Sequence, residues 1–212
     1  MVLYKQLTLT GLSLLGESVE RLMEEKLEWI NAGGVSSAHV YLSDDIQNTL
    51  SSELLNQLQS IGLTPAVVVN FSEHGKTYET PIHSDLTLYN DSWVPMPFGI
   101  NWELAAGVTI FNWYDNKGHF YTAPRYKDET TAWPRCMLNG TRYRPTQLRD
   151  FEKIDSVRLL PTTAYLVRTD MPHQVVSESP GGLRIAISIR FPLDQVGSWQ
   201  QALEVFRPFY AD

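Results

Sequence analysis

Residues 183–191 read Leu-Arg-Ile-Ala-Ile-Ser-Ile-Arg-Phe, and their alternation constrains this chain more than any other feature. Successive side chains of an extended strand point to opposite faces. Ile185, Ile187, Ile189 and Phe191 therefore share one face, and Arg184, Ala186, Ser188 and Arg190 share the other. The isoleucine face would pack under helices. The arginine face would look into a polar cavity, as the strand of a ligand-holding sheet does.

The rest of the sequence supplies partners for such a strand. Short segments rich in β-branched and aromatic residues occur at Ala38–Leu42, Pro65–Phe71, Gly99–Leu104, Gly107–Tyr114, Thr163–Thr169 and His173–Ser177. Turns punctuate them at Asn116-Lys117-Gly118, Asn139-Gly140 and Ser179-Pro180-Gly181-Gly182. Many short strands between turns suggest a sandwich, barrel or jelly roll.

Helical spacing dominates before residue 63. Val19, Leu22, Met23, Leu27 and Ile30 form one stripe, which Gly33-Gly34 ends. A second stripe runs through Ile46, Leu50, Leu54, Leu55, Leu58 and Ile61, with Ser43 as N-cap, Asp44 and Asp45 in the first turn and Gly62 after the end. Ser198–Phe206 reads as one more short helix. Residues 115–160 show little period and read as long loops with a short helix. The expectation is one mainly β domain over residues 1–212 with flanking helices. Its helical part covers about 1–62, and its jelly-roll core, with the N-terminal helices packed on one sheet, covers about 63–192.

Composition narrows the function classes. Seventeen Lys and Arg against 24 Asp and Glu give a net charge of −7, no electrostatic reason to expect nucleic acid or an anionic membrane as partner. Cys136 is the single cysteine, so there is no disulfide framework or cysteine-based zinc site. One thiol fits a reducing compartment. Met1–Gln6 lacks the pattern of a signal peptide, and no apolar stretch has membrane-spanning length. A cytoplasmic protein is expected. There is no Gly-rich phosphate loop, nucleophile elbow or His-Glu-X-X-His helix.

Of five histidines, two sit where chemistry is possible. His83-Ser84-Asp85 places an imidazole and a carboxylate on one side of an extended segment. His173 lies far downstream, and Arg184 follows it on the alternating strand. His-X-Asp with a distant His is the ligand set of the 2-His-1-carboxylate facial triad, which binds Fe(II) and leaves positions open. A dicarboxylate co-substrate would need a cation at its far end, and an Arg fork suits a carboxylate.

Pro81–Asp85, Gly99–Trp102, Phe111–Tyr114, Arg168–His173 and Leu183–Phe191 together resemble the Fe(II)/2-oxoglutarate-dependent oxygenase superfamily, and within it the small free-standing members near the aspartyl/asparaginyl β-hydroxylase type. The resemblance covers roughly residues 65–192. It implies His83, Asp85 and His173 as iron ligands and catalytic centre, with Arg184 pairing the far carboxylate of 2-oxoglutarate. Arg190 is the competing partner, and Asn101 a further co-substrate contact. The implied activity is a dioxygenase that hydroxylates a substrate C–H bond and releases succinate and CO2. Asp85 favours hydroxylation or a related oxidation over halogenation, since halogenating members carry a small residue there.

Two other readings remain open at this stage: a cupin-like metal enzyme that does not use 2-oxoglutarate, and a non-catalytic jelly-roll module that binds a ligand. The substrate expected is a small molecule or short peptide. Arg125, Lys127, Arg135, Arg142, Arg144 and Arg149 either lean it towards an anion or form a solvated face. The aromatics Tyr89, Trp93, Trp102, Trp113, Tyr114, Tyr121, Tyr126 and Trp133 read first as sheet packing and second as a stacking surface.

Overall fold

The computed structural model describes residues 1–13, 37–42, 46–74, 78–80, 82–103, 108–116, 138–142, 151–178 and 183–211. Their strands are β1 (Tyr4–Leu7), β2 (Ser37–Leu42), β3 (Val67–His74), β4 (Tyr78–Glu79), β5 (His83–Tyr89), β6 (Ser92–Pro95) and β7 (Phe98–Glu103). After them come β8 (Val108–Asn116), β9 (Leu138–Arg142), β10 (Phe151–Leu159), β11 (Ala164–Arg168), β12 (His173–Glu178) and β13 (Leu183–Arg190). The helices are α1 (Ile46–Thr49), α2 (Ser52–Ser60) and α3 (Trp199–Val205), followed by a single 3-10 turn, Arg207–Phe209. None of the described helices is long and apolar enough to cross a membrane.

The strands form two sheets. The first has the order β1-β11-β7-β13-β3-β2. The second runs β10-β8-β12-β5-β6, with β4 added on β12 and β9 on β5. The neighbours pair antiparallel throughout. Strands β3, β7, β11 and β13 lie in the first sheet and β5, β8, β10 and β12 in the second. The chain therefore leaves one sheet for the other again and again.

Alternation sorts the side chains into two cores. Phe98, Ile100 and Trp102 of β7, Ala164 and Leu166 of β11 and Ile187 and Ile189 of β13 join Leu54, Leu55 and Leu58 of α2 and Ala202 of α3 in one buried cluster. This is the outer face of the first sheet, covered by helices. The odd-numbered residues of β11, Tyr165 and Val167, point the other way and pack with Phe111 and Trp113 of β8 and Val157 and Leu159 of β10. The isoleucines of β13 thus face the helices. Ala186, Ser188 and Arg190, also buried, face the opposite sheet. Trp102 and Trp113 are fully buried packing residues, one in each core.

Several local readings change. The second apolar stripe is divided into α1 and α2 instead of one helix, because Ser51 is an N-cap within it. Its backbone is extended, and its Oγ accepts from Leu54 N while donating to the Gly11 carbonyl at 2.8 Å. A serine hydroxyl competes with the helix for backbone groups, and here it ends one helix and starts the next. Gly62 follows with φ +76, a conformation that favours glycine. The expected cap Ser43 and the stripe Val19–Ile30 lie outside the described residues.

Residues 115–160, read as long loops with a short helix, contain the end of β8, all of β9 and the nine-residue β10. Alternation in β10 is broken by a bulge between Lys153 and Asp155, which leaves Ile154 exposed. Strand β5 turns into β6 through Asn90-Asp91, both at positive φ, as a two-residue hairpin loop requires. The C-terminal helix is found as expected, with Ser198 capping Gln201 N.

Ser51→Ala removes both the cap of α2 and its tie to Gly11. It should destabilise the protein by about 1 kcal/mol in urea unfolding, and Leu54→Ala by about 2–5 kcal/mol.

Candidate metal centre

His83 opens β5, and Asp85 follows two residues on, so both side chains leave the same face of the strand. His173 opens β12 directly opposite His83. One ligand atom each from His83, Asp85 and His173 lies within 4.8 Å of the others. Asp85 Oδ1 is 3.6 Å from His83 Nε2 and 3.8 Å from His173 Nε2. The two imidazole rings sit 4.3 Å apart at 53°.

Each group is held by its surroundings. The Asp85 backbone is pinned on both sides, its N–H donating to the Thr169 carbonyl and its carbonyl accepting from Met96 N. Thr169 Oγ1 donates to the Met96 carbonyl and ties these two segments together. His173 is buried, and Phe111 stacks on it at 4.8 Å. His173 Nδ1 lies 2.9 Å from the Met171 carbonyl. A carbonyl can only accept, so Nδ1 carries the proton and the Nε2 lone pair faces Asp85. This is how a backbone carbonyl sets the tautomer of a metal-ligating histidine.

The electrostatics suit a cation. Burial pushes the His173 imidazole down to about 3, helped by His83 and Arg190 and opposed by Asp85 and the Met171 carbonyl. It is neutral at pH 7, with a lone pair to give. Burial alone would raise the Asp85 carboxyl, but Arg190, His173 and His83 together hold it below its usual value. Two imidazole nitrogens and a charged carboxylate oxygen converge on one point, and a divalent metal ion satisfies all three.

Arg190 reaches this carboxylate from the other sheet. Its Nη2 donates to Asp85 Oδ2 at 2.7 Å, and the side chain is 5% exposed. Two further sequence candidates lie in the first sheet. Asn101 of β7 lies opposite Ser188 of β13, and Ser188 Oγ donates to Asn101 Oδ1. Arg184 belongs to the same strand, opposite Glu73, roughly 20 Å along the backbone from Arg190. The side chain of Arg184 lies outside the described residues. The structure thus brings His83, Asp85, His173 and Arg190 together and places Asn101 on the face they share. Of the basic candidates, the Arg142 backbone lies opposite His83 in β9; Arg125, Lys127, Arg135, Arg144 and Arg149 lie outside the described residues.

Sequence reasoning missed the roles of Thr169, the Met171 carbonyl and Phe111, which become visible only once β5, β8 and β12 are side by side.

No protein-family model matches the chain, and no curated protein does. Among solved structures it is similar to HygX from Streptomyces hygroscopicus with nickel, 2-oxoglutarate and hygromycin B bound, at 12% identity over 85% of this chain and 80% of that one, TM-score 0.36. HygX with iron bound matches over the same shares at 9% identity and TM-score 0.34. A structure of carbohydrate-binding modules from the β-sandwich superfamily matches at 13% identity over 74% of this chain and 54% of that one, TM-score 0.25.

The buried neutral His173 makes the metal-free protein acid-sensitive. The unfolded chain binds a proton at this residue near 6.5, the folded one only near 3, so stability falls as pH drops through that window. Acidification from pH 7 to 5 should cost on the order of 1–2 kcal/mol in urea titrations. His173→Gln should remove most of that slope, and identical pH profiles for the two proteins would refute the assignment. Asp85, held below 3.8, adds to the loss only at lower pH.

Proposed function

We propose that this chain is an Fe(II)- and 2-oxoglutarate-dependent oxygenase on a double-stranded β-helix, hydroxylating a C–H bond of a small molecule or short peptide. The observation that carries this reading is the convergence of His83, Asp85 and His173 between two sheets, with a face bearing Arg190, Ser188 and Asn101 opposite. The strand orders support the fold: β3-β13-β7-β11 and β5-β12-β8-β10 are four-stranded runs within the two sheets, and the chain alternates between them.

His83, Asp85 and His173 would hold the metal through two neutral nitrogens and one carboxylate oxygen. Such a set leaves a divalent ion with one positive charge and with open positions, which suits a dianionic co-substrate. When bound, iron and 2-oxoglutarate would supply the chemistry of dioxygen activation: dioxygen is the oxidant, 2-oxoglutarate gives two electrons and the substrate two, and one oxygen atom ends in the hydroxyl and the other in succinate as CO2 leaves. Arg184 would meet the far carboxylate with its fork. Arg190, engaged with Asp85, would hold the ligand that completes the triad. The Asn101–Ser188 pair offers a polar contact to the co-substrate between the two arginines. Phe111 and the second core keep water from the His173 side. The carboxylate at Asp85 favours hydroxylation or a related oxidation over halogenation.

Anaerobic titration with Fe(II) and then 2-oxoglutarate should produce a weak visible charge-transfer band. Arg184→Ala should weaken co-substrate binding by about 10–100-fold, the loss expected for removing a charged hydrogen-bonding partner. Asp85→Ala should abolish the band. Iron binding without a band at saturating 2-oxoglutarate would replace this reading with a cupin-like enzyme. No iron binding would replace it with a ligand-binding module.

A further inference from the structure

Gly99 of β7 lies beside Arg190 of β13, since the register pairs Ile100 with Ile189. Its backbone is ordinary extended strand, so its conformation does not call for glycine. Space does. A Cβ at this position would stand 1.5 Å from Arg190 Nη1 and 2.5 Å from its Cζ. The guanidinium therefore occupies the volume that any other residue would fill.

The guanidinium has little else to hold it. Its Nε and Nη1 are buried with no hydrogen-bond partner among the described residues, and its bond to Asp85 is the side chain's single hydrogen bond there. A buried guanidinium with two unsatisfied nitrogens is unfavourable and calls for an explanation. Its location supplies one, because its bonded partner is the candidate carboxylate ligand.

We infer that Gly99 is a positioning residue: by lacking a side chain it opens the slot through which Arg190 reaches Asp85, so that Oδ2 is tied to the guanidinium and Oδ1 alone is offered to the metal. The inference rests on the reading of His83, Asp85 and His173 as metal ligands. Its chemical consequence is a coordination number. A carboxylate with both oxygens free can chelate and take two positions; one with an oxygen tied to a guanidinium takes one. The position kept open is one that a chelating co-substrate or dioxygen needs.

A double-mutant cycle tests this. Gly99→Ala should weaken anaerobic Fe(II) binding by about 10–100-fold, the loss typical of disturbing a ligand's hydrogen-bond partner. It should also shift the visible bands of the Co(II)-loaded protein, which a purely structural defect would not do. Arg190→Lys keeps the charge and removes the nitrogen that meets the new Cβ. In that background, adding Gly99→Ala should change Fe(II) affinity by less than about threefold. Wild-type affinity and Co(II) spectrum in folded Gly99→Ala would overturn the inference, as would full additivity in the cycle. If Gly99→Ala does not fold, recovery of wild-type melting on adding Arg190→Lys supports the slot, and no recovery overturns it. Those outcomes leave the metal reading standing. Failure of the wild-type protein to bind Fe(II) or Co(II) would overturn both.

Discussion

A buried guanidinium and a partly buried carboxylate are each unfavourable alone, and each is tolerable when it faces the other. Arg190 and Asp85 stand in that relation across the two sheets, 2.7 Å apart. Strand β13 carries one charge inward, strand β5 the other, and neither can be buried until the sheets have closed. The rest of the site follows from that closure. Asp85 is fixed through its backbone to Thr169 and Met96, and His83 stands two residues before it on the same face. His173 lies across from His83. The charge pair thus links a long-range folding event to the assembly of a metal-binding triad.

The two cores divide the labour. The helix-covered face of the first sheet holds the larger cluster of buried apolar residues among those described, and β7 and β13 are packed into it. On its opposite face β11 joins the second core through Tyr165 and Val167, while β7 and β13 carry the polar groups Asn101, Ser188 and Arg190, with Gly99 making room. The second core, around Phe111 and Trp113, lies between the sheets and stacks directly on His173. It supplies the desolvation that keeps that imidazole neutral, while the Met171 carbonyl chooses its tautomer. Hydrophobic packing in one place therefore sets protonation in another, which is what a metal ligand needs in order to be ready at neutral pH.

Alternation was legible wherever a strand has one apolar face. The alternation of residues 183–191 marks Leu183–Arg190, whereas residues 38–42 and 107–114 are marked by β-branched and aromatic composition and form Ser37–Leu42 and Val108–Asn116. It failed at Phe151–Leu159, where a bulge shifts the period and an edge position leaves most residues exposed. It also failed at Tyr4–Leu7 and Ser92–Pro95, four residues each, too short to show a period. In the helical part the second apolar stripe matches α1 and α2, but the break at Ser51 involves a contact with Gly11, forty positions away in sequence.

The same boundary runs through the site. Sequence alone determined the residue types and their local geometry: a His and an Asp on one face of a strand, and two arginines on one face of another. Those follow from strand periodicity, which is a property of the backbone. Which arginine meets Asp85 was decided only by tertiary structure. The sequence placed Arg184 ahead of Arg190 for the far carboxylate of 2-oxoglutarate and was silent on Asp85; the fold puts Arg190 at Asp85. Sequence order measures position along a strand, whereas the contact depends on how far along β13 the opposite sheet places Asp85. That offset is fixed by the registers of both sheets and by the missing side chain of Gly99, and all of these exist only in the folded protein.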